Sequence, residues 1–250
     1  MGVQGWLERY GKLSAIKRIG DSMKKYLFCC YREHFIRLYE DKLKKLPFDI
    51  VLLTDKAELT FDYIKGIDPE YIFFPDWSWV IPKDIVEGFS CICFHEAPLP
   101  MFRGGSPIQN QIVRGIKKTK LTAFMMDEGI DTGDILLQED LSLEGHLKDI
   151  SDRITELVYM MVVKIIEGKS TLVKQTGEGS FCRRRTPAES RLEHLKYDIT
   201  CLYDFIRMLE DPYPNAYIQI DDKHVIFKEA ELIDGEIHFK GIIRRKQGED

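Results

Sequence analysis

No run of about 18 consecutive apolar residues occurs in this 250-residue chain, so a membrane-spanning helix is not expected. Basic residues are in short supply: 36 Lys and Arg stand against 41 Asp and Glu, a formal net charge of -5. That balance lacks the basic footprint of a nucleic-acid binder and points to a small metabolite as partner, with no nucleic acid and no membrane. The six cysteines, Cys29, Cys30, Cys91, Cys93, Cys182 and Cys201, show no metal-ligand spacing, and Cys91-x-Cys93 is not a zinc pattern. With no secretory leader recognisable, free thiols in a reducing cytoplasm are expected rather than a disulfide framework, and no metal is called for. Residues 1–22, MGVQGWLERYGKLSAIKRIGDS, are mixed in charge and read as an N-terminal extension, neither a secretory h-region nor an anchor. Glycine is missing from CCYREHF after the first strand pattern. Without G-x-G-x-x-G at that place a dinucleotide cofactor, and hence a dehydrogenase, is not expected.

What is present is a globular composition, 44% apolar and 31% charged, enough for one main core and a smaller appended domain. Strand and helix patterns alternate from Met23: KYLFCCY, EHFIRLYEDKLKKL, DIVLLT, ELTFDYIKGI, YIFFP, CICF, PIQNQIVRGI, LTAFMM. Short apolar strands between amphipathic helices imply an α/β fold with a mostly parallel, Rossmann-like sheet covered on both faces. The helical stretch DISDRITELVYMMVVKIIEGK closes this domain, its Met160, Met161, Val162 and Val163 facing the core. A polar segment with Arg183, Arg184 and Arg185 follows. The chain then reads as a helix, LYDFIRMLED, and three alternating runs suited to a small α+β or β-rich unit. The divisions expected are 1–22 extension, 23–180 catalytic domain, 181–190 linker and 191–250 C-terminal domain.

Two segments carry the chemistry. CICF runs into His95, Glu96, Ala97, Pro98, Leu99 and Pro100, then Arg103, Gly104, Gly105 and Ser106, which open a helix. The carboxyl end of a buried strand is where open α/β sheets place ligands. About twenty residues on, LTAFMM leads into a loop with Asp127, Glu128, Gly129, Asp131, Thr132, Gly133 and Asp134 before a return strand. One histidine and one aspartate thus follow two successive strand patterns, the arrangement of a proton-relaying pair.

The spelling H-x-x-x-L-P-x-x-R-G-G-x-P-I-Q, the D-E-G-x-D-T-G-D-I-L loop and the downstream IRMLEDPYPNAY resemble the N10-formyltetrahydrofolate-dependent formyltransferases. The resemblance runs from about Tyr26 to about Tyr217. FFPDWSWVIP and RGGSPIQNQI look most like the sugar N-formyltransferases of that family. This implies transfer of a formyl group from N10-formyltetrahydrofolate to the amine of a nucleotide-linked amino-dideoxy sugar in surface glycan synthesis, in the cytoplasm. Homodimers are common among such sugar enzymes. The alternatives left open are another small amine, methionyl-tRNA, and a folate-binding homologue without catalysis. The acidic balance after Ala188, nine Lys and Arg to fourteen Asp and Glu, disfavours tRNA.

The resemblance also assigns residues. His95 and Asp131 take the catalytic positions, with Cys93 where the family carries asparagine, although a thiol is a poor donor beside an amide. Trp77, Ser78, Trp79 and Val80 are expected to line the pterin pocket, faced by Met126, Asp127, Gly129 and Ile130. Glu96, Pro98, Arg103, Gly104, Gly105 and Ser106 are expected on the acceptor side, the backbone N–H groups of the last four being candidates to meet an anionic group or a close-approaching substrate.

Overall fold

The computed structural model describes residues 24–193 and 198–245. The expected extension at 1–22 lies outside the described residues. Six strands form the central sheet: β1 Lys25–Cys29, β2 Asp49–Leu53, β3 Pro69–Pro75, β4 Cys91–His95, β6 Lys118–Met125 and β7 Ile135–Ser142. Their order is β2-β1-β3-β4-β6-β7. The first four run parallel, whereas β6 is antiparallel to β4 and β7 to β6. The fold class is as expected, with the two-stranded antiparallel return the only part of this sheet that departs from parallel pairing.

Alternation along the strands divides the apolar residues between two faces. Tyr26, Phe28, Phe73, Ile92 and Phe94 enter one core, covered by α1 (Glu33–Asp41) and α5 (Leu147–Ile166). Leu27, Cys29, Ile72, Phe74 and Cys91 enter the other, covered by α2 (Phe61–Ile67) and α3 (Lys83–Gly88). Helix α3 was not read from the sequence, because its six residues offer only one buried position, Ile85. A fourth short helix, α4 (Pro107–Ile112), follows the two-residue strand β5, Arg103–Gly104. In α5, Met161, Val162 and Val163 are buried, while Met160 is only partly so.

The segment expected to be a bare linker contributes β8, Phe181–Cys182, which pairs in parallel with β5, and a 3-10 turn at Pro187–Ser190. Beyond it, α6 (Ile199–Arg207) is capped by Asp198, whose carboxylate accepts from the Thr200 and Cys201 amides. Strands β9 (Tyr217–Ile220), β10 (Lys223–Ile233) and β11 (Glu236–Arg245) make an antiparallel sheet in the order β11-β10-β9. Ile206, Met208, Ala216 and Phe227 join the first core, so this sheet is packed onto the α/β layer. The expected C-terminal unit is therefore present as antiparallel strands. No described helix is long and apolar enough to cross a membrane.

Candidate active site

Strand β1 lies between β2 and β3, so the chain's connections diverge on either side of it, and the crevice beyond these carboxyl ends is where such sheets bind ligands. Arg32 beyond β1 and Asp76 beyond β3 span that crevice, Nε to Oδ2 at 3.0 Å. One strand over, β4 ends at His95, on the same sheet face as Cys91 and Cys93.

His95 is buried, and its Nε2 lies 2.8 Å from the Phe102 carbonyl. A carbonyl only accepts, so Nε2 carries the proton and Nδ1 faces inward. Nδ1 stands 3.6 Å from Asp131 Oδ2, too far for a hydrogen bond and close enough for attraction once the ring is charged.

Asp131 is held at both ends. Its Oδ2 accepts the Gly104 N–H at 2.7 Å. Its backbone carbonyl accepts from Arg103 Nε at 3.1 Å and Gln175 Nε2 at 2.9 Å. Gln175 also donates to the Gly133 carbonyl at 2.8 Å and accepts from Arg103 Nη2 at 2.6 Å. Asp127 Oδ1 closes the loop on itself, accepting from the Gly129 amide (2.9 Å) and the Thr132 hydroxyl (2.6 Å). Gly133 is required, since a Cβ there would lie 1.6 Å from the Met125 carbonyl oxygen.

These contacts correct one expectation. The amides of Arg103, Gly104 and Gly105 are engaged within the protein and not left for an anionic ligand: they donate to Ser180 O, Asp131 Oδ2 and Cys182 O. Ser106 accepts from the Arg185 amide at 3.2 Å. Gly104 has φ +94°, and β5 pairs with β8, so this segment is a brace for Asp131. The brace follows from a distant pairing, Arg103 to Phe181 and Gly104 to Cys182, which no local pattern announces. Of the cationic linker, Arg183 pairs with Glu189 and Arg185 donates to the Glu189 carbonyl.

Cys93 is pushed well above the usual thiol range by burial, with Asp131 and Glu96 adding to it, so it stands as a neutral thiol. Among the described residues its thiol makes one long S–H···O approach, to the Phe94 carbonyl. Glu96 is raised to about 8 by burial first, then by Asp76 and Asp131. Part of its surface is open, but protein packs closely around the carboxyl. Burial also raises Asp76, against the pull of Arg32. Tyr213 goes up to about 12, through burial and then Asp76. Pro98 sits between His95 and Leu99 with its carbonyl accepting the Met101 amide.

Trp77, Ser78 and Trp79 form an aromatic wall with Tyr31, which the sequence reading passed over. Tyr31 lies 4.2 Å from Trp79 between ring centroids and its hydroxyl donates to Ser78 Oγ at 2.8 Å. Trp77 and Met126 rest on the second core, and the buried Trp77 Nε1 has no hydrogen-bond partner. A buried orphan donor in an aromatic wall suits a flat heterocycle with ring acceptors. Val80, by contrast, is 96% exposed and Ile130 is 62% exposed. Away from this cleft His146, Glu229 and Glu231 bring ligand atoms within 4.8 Å of one another, but Glu210 occupies His146 and Lys240 occupies Glu229.

The site is thus an open α/β sheet with a histidine and a braced aspartate at its strand ends and an antiparallel sheet packed behind. Residues 54–166 match the family model for formyl transferases, and residues 187–243 match that for the methionyl-tRNA formyltransferase C-terminal domain. A methionyl-tRNA formyltransferase structure from Clostridium thermocellum is 37% identical, with TM-score 0.84, the match covering 90% of this chain and 100% of that one. The chain belongs to the formyl transferase family. A methionyl-tRNA formyltransferase from Rickettsia prowazekii is 33% identical over 195 residues, 74% of this chain; the match spans 63% of that relative's length. A 4-N formyltransferase from Francisella tularensis is 18% identical with TM-score 0.64, covering 91% of this chain and all of that one, and shares the fold alone.

These relatives overturn the sugar N-formyltransferase expectation, and with it the nucleotide-sugar partner and the exclusion of nucleic acid. The error was to read a net charge as a surface. Acidic residues after Ala188 outnumber basic ones, yet Lys228, Arg244 and His224 share one concavity of about 360 Å³ with Tyr213 and Tyr217. Binding follows the local field, which a summed charge does not describe.

Proposed function

We propose that this protein transfers a formyl group from N10-formyltetrahydrofolate to the amine of methionyl-tRNA, in the cytoplasm, without a metal. The observation that carries the reading is the His95–Asp131 pair at 3.6 Å, held by separate anchors at the end of β4. Trp77, Ser78 and Trp79 would hold the pterin with Met126, Asp127 and Gly129 opposite, and the donor supplies an already activated formyl group when bound. The acceptor approaches from the side of Glu96 and Pro98. His95 takes up at Nδ1 a proton that the attacking amine loses and returns it to the leaving nitrogen, while Asp131 steadies the charged ring. Cys93 faces the same cleft as a neutral thiol and lends a weak donor.

We further divide the chain into catalytic residues 23–180, a connection at 181–190 and a C-terminal unit at 191–250, the last meeting the tRNA through the concavity that holds Lys228 and Arg244.

Purified protein, N10-formyltetrahydrofolate and methionyl-tRNA test this together, with formyl-methionine measured after deacylation. Formylation that is lost in both His95→Asn and Asp131→Asn supports the reading. Tetrahydrofolate binding without transfer to this or any other amine would favour the one competing reading with an observation behind it, a folate-binding homologue disabled at Cys93.

A further inference from the structure

Neither member of the proposed proton-relaying pair sets the position of the other, since His95 Nδ1 and Asp131 Oδ2 stand 3.6 Å apart without a hydrogen bond. Their separation is decided by what holds each from behind. Both are marked by such support: Asp131 has φ 54°, and Phe102, whose carbonyl takes the His95 Nε2–H, has φ 58°. A bulky side chain is a rare occupant of left-handed backbone, and such a conformation persists only where the surroundings over-determine it.

The two share one stretch of chain as their support. Residues 167–186 lie between the two family matches, which end at 166 and resume at 187. Within that stretch, residues 171–180 form a strap in which every residue but Gln175 and Ser180 is exposed. Val173 joins it to the edge of β7 through two backbone hydrogen bonds with Ile135, each of 2.8 Å. Gln175 then spends its whole amide on the Asp131 turn. Its N–H groups go to the carbonyls of Asp131 and Gly133, and its oxygen takes two N–H groups of Arg103, which also donates to the Asp131 carbonyl. Further on, the Ser180 hydroxyl oxygen accepts the Phe102 amide at 2.8 Å while the Ser180 carbonyl accepts the Arg103 amide at 2.9 Å.

We infer that Gln175 and Ser180 are positioning residues, which from one continuous strap hold the Asp131 turn and the Phe102 peptide and so set the separation of the pair and the tautomer of its histidine. The inference takes its chemical meaning from the proposed function, on which it rests. Ser180 acts on His95 through Phe102. With that peptide fixed, its carbonyl keeps the ring proton on Nε2 and leaves Nδ1 free for exchange. Gln175 acts on Asp131 through the turn. With two of the turn's carbonyls tied, the carboxylate keeps Oδ2 on the Gly104 amide at 2.7 Å and keeps its distance from the ring. Neither side chain touches a reacting atom.

A strap that merely fastened the loop to the sheet would be felt in stability alone, and two substitutions separate that role from positioning. Gln175→Glu keeps a partner for the Arg103 guanidinium, now a charged one, but turns oxygen toward the Asp131 and Gly133 carbonyls and takes away the donor they share. The strap stays fastened while the turn loses its tie. Ser180→Ala removes the acceptor of the Phe102 amide, and Ser180→Thr retains it.

NMR of the full chain labelled with nitrogen-15 reads both roles without any turnover. At alkaline pH the wild-type His95 ring is expected in the Nε2–H form alone; Ser180→Ala should show both tautomers and Ser180→Thr only the first. In Gln175→Glu the Gly104 amide, held by Asp131 Oδ2, should exchange with solvent about tenfold faster, while the Gly105 amide, held by the Cys182 carbonyl, keeps its wild-type rate. Single-turnover formylation should fall about ten- to a hundredfold in Ser180→Ala and Gln175→Glu with substrate affinities unchanged. A wild-type ring protonated on Nδ1 overturns the inference whether or not the variants fold, and so does a Ser180→Ala ring that keeps one tautomer. Equal acceleration at Gly104 and Gly105, or none at either, overturns it for Gln175. Wild-type protein that shows these NMR features and does not formylate methionyl-tRNA would instead sink the proposed function and leave the hold of the strap on the pair standing.

Discussion

Two of the protein's histidines face carboxylates from buried or half-buried positions, and the geometry of each pair separates a group that is available from one that is spent. His95 and Asp131 are 3.6 Å apart, each tied down by other partners. His146 and Glu210 are 2.7 Å apart, and the second Glu210 oxygen accepts the Leu147 amide at 3.1 Å. Glu210 follows α6 and satisfies the open N-terminus of α5, so it clasps the C-terminal unit to the α/β layer. In the first pair the protein spends its hydrogen bonds on holding two side chains near each other without joining them. In the second the carboxylate has given both oxygens to structure. A proton can be exchanged at His95 Nδ1 without dismantling anything, which is not true at His146.

The largest effect that follows is on turnover. His95→Asn or Asp131→Asn should lower single-turnover formylation by about 10²–10⁴-fold with little change in the unfolding midpoint. If either variant kept near-wild-type transfer, the distinction between the two pairs would be lost.

The clasp side predicts the reverse, a stability loss. Beneath it Arg207, with a side chain only 3% exposed, pairs with Asp204 at 2.7 Å and donates to the Leu143 and Gly145 carbonyls. Arg207→Met strands the buried Asp204 carboxylate and should cost about 3–5 kcal/mol in urea unfolding. Adding Asp204→Leu should recover part of that loss. A single variant within 1 kcal/mol of wild type would show that this network contributes little.

Between these extremes lies the brace. In Gly104→Ala a Cβ would meet the Cys182 carbonyl oxygen at 2.3 Å, at a φ that side chains rarely adopt. The expected cost is about 1–3 kcal/mol of stability. Formylation should fall more than that cost explains under conditions where the variant remains folded, because the Gly104 amide also fixes Asp131. Equal, small effects on both would mean that Asp131 is positioned by its loop alone.

Sequence pattern revealed what is local and periodic. The alternation of Tyr26 and Phe28 with Leu27 and Cys29 announces a strand covered on both faces, and the prolines after His95 mark where β4 must stop. The aspartate loop was legible because glycines flank it. What escaped depends on pairings between distant segments: β5 with β8, Gln175 reaching back 44 residues to Asp131, and Asp76 meeting Arg32 across the crevice. Composition misled in the one place where it was asked for a partner, because nine basic and fourteen acidic residues after Ala188 say nothing of which face each occupies.

The smallest effect is also the one that tests the clasp most directly. The hydrogen bond to Glu210 raises the His146 pKa above its ordinary 6.5, with the Glu210 charge adding to it against partial burial. A histidine whose folded pKa is raised contributes stability that is fully present below the unfolded value and is lost as pH rises through the folded one. His146→Gln should therefore destabilise the protein more at pH 5.5 than at pH 8.5. The difference is about 1 kcal/mol or less, because the ring is 30% exposed and solvent screens the pair. Unfolding midpoints of both proteins across that range measure it. Part of the contact survives at high pH, since a neutral ring still donates from Nδ1 to the carboxylate. A variant equally destabilised at both ends would mean that His146 acts through this neutral hydrogen bond alone, and the charge-dependent half of the comparison would fall.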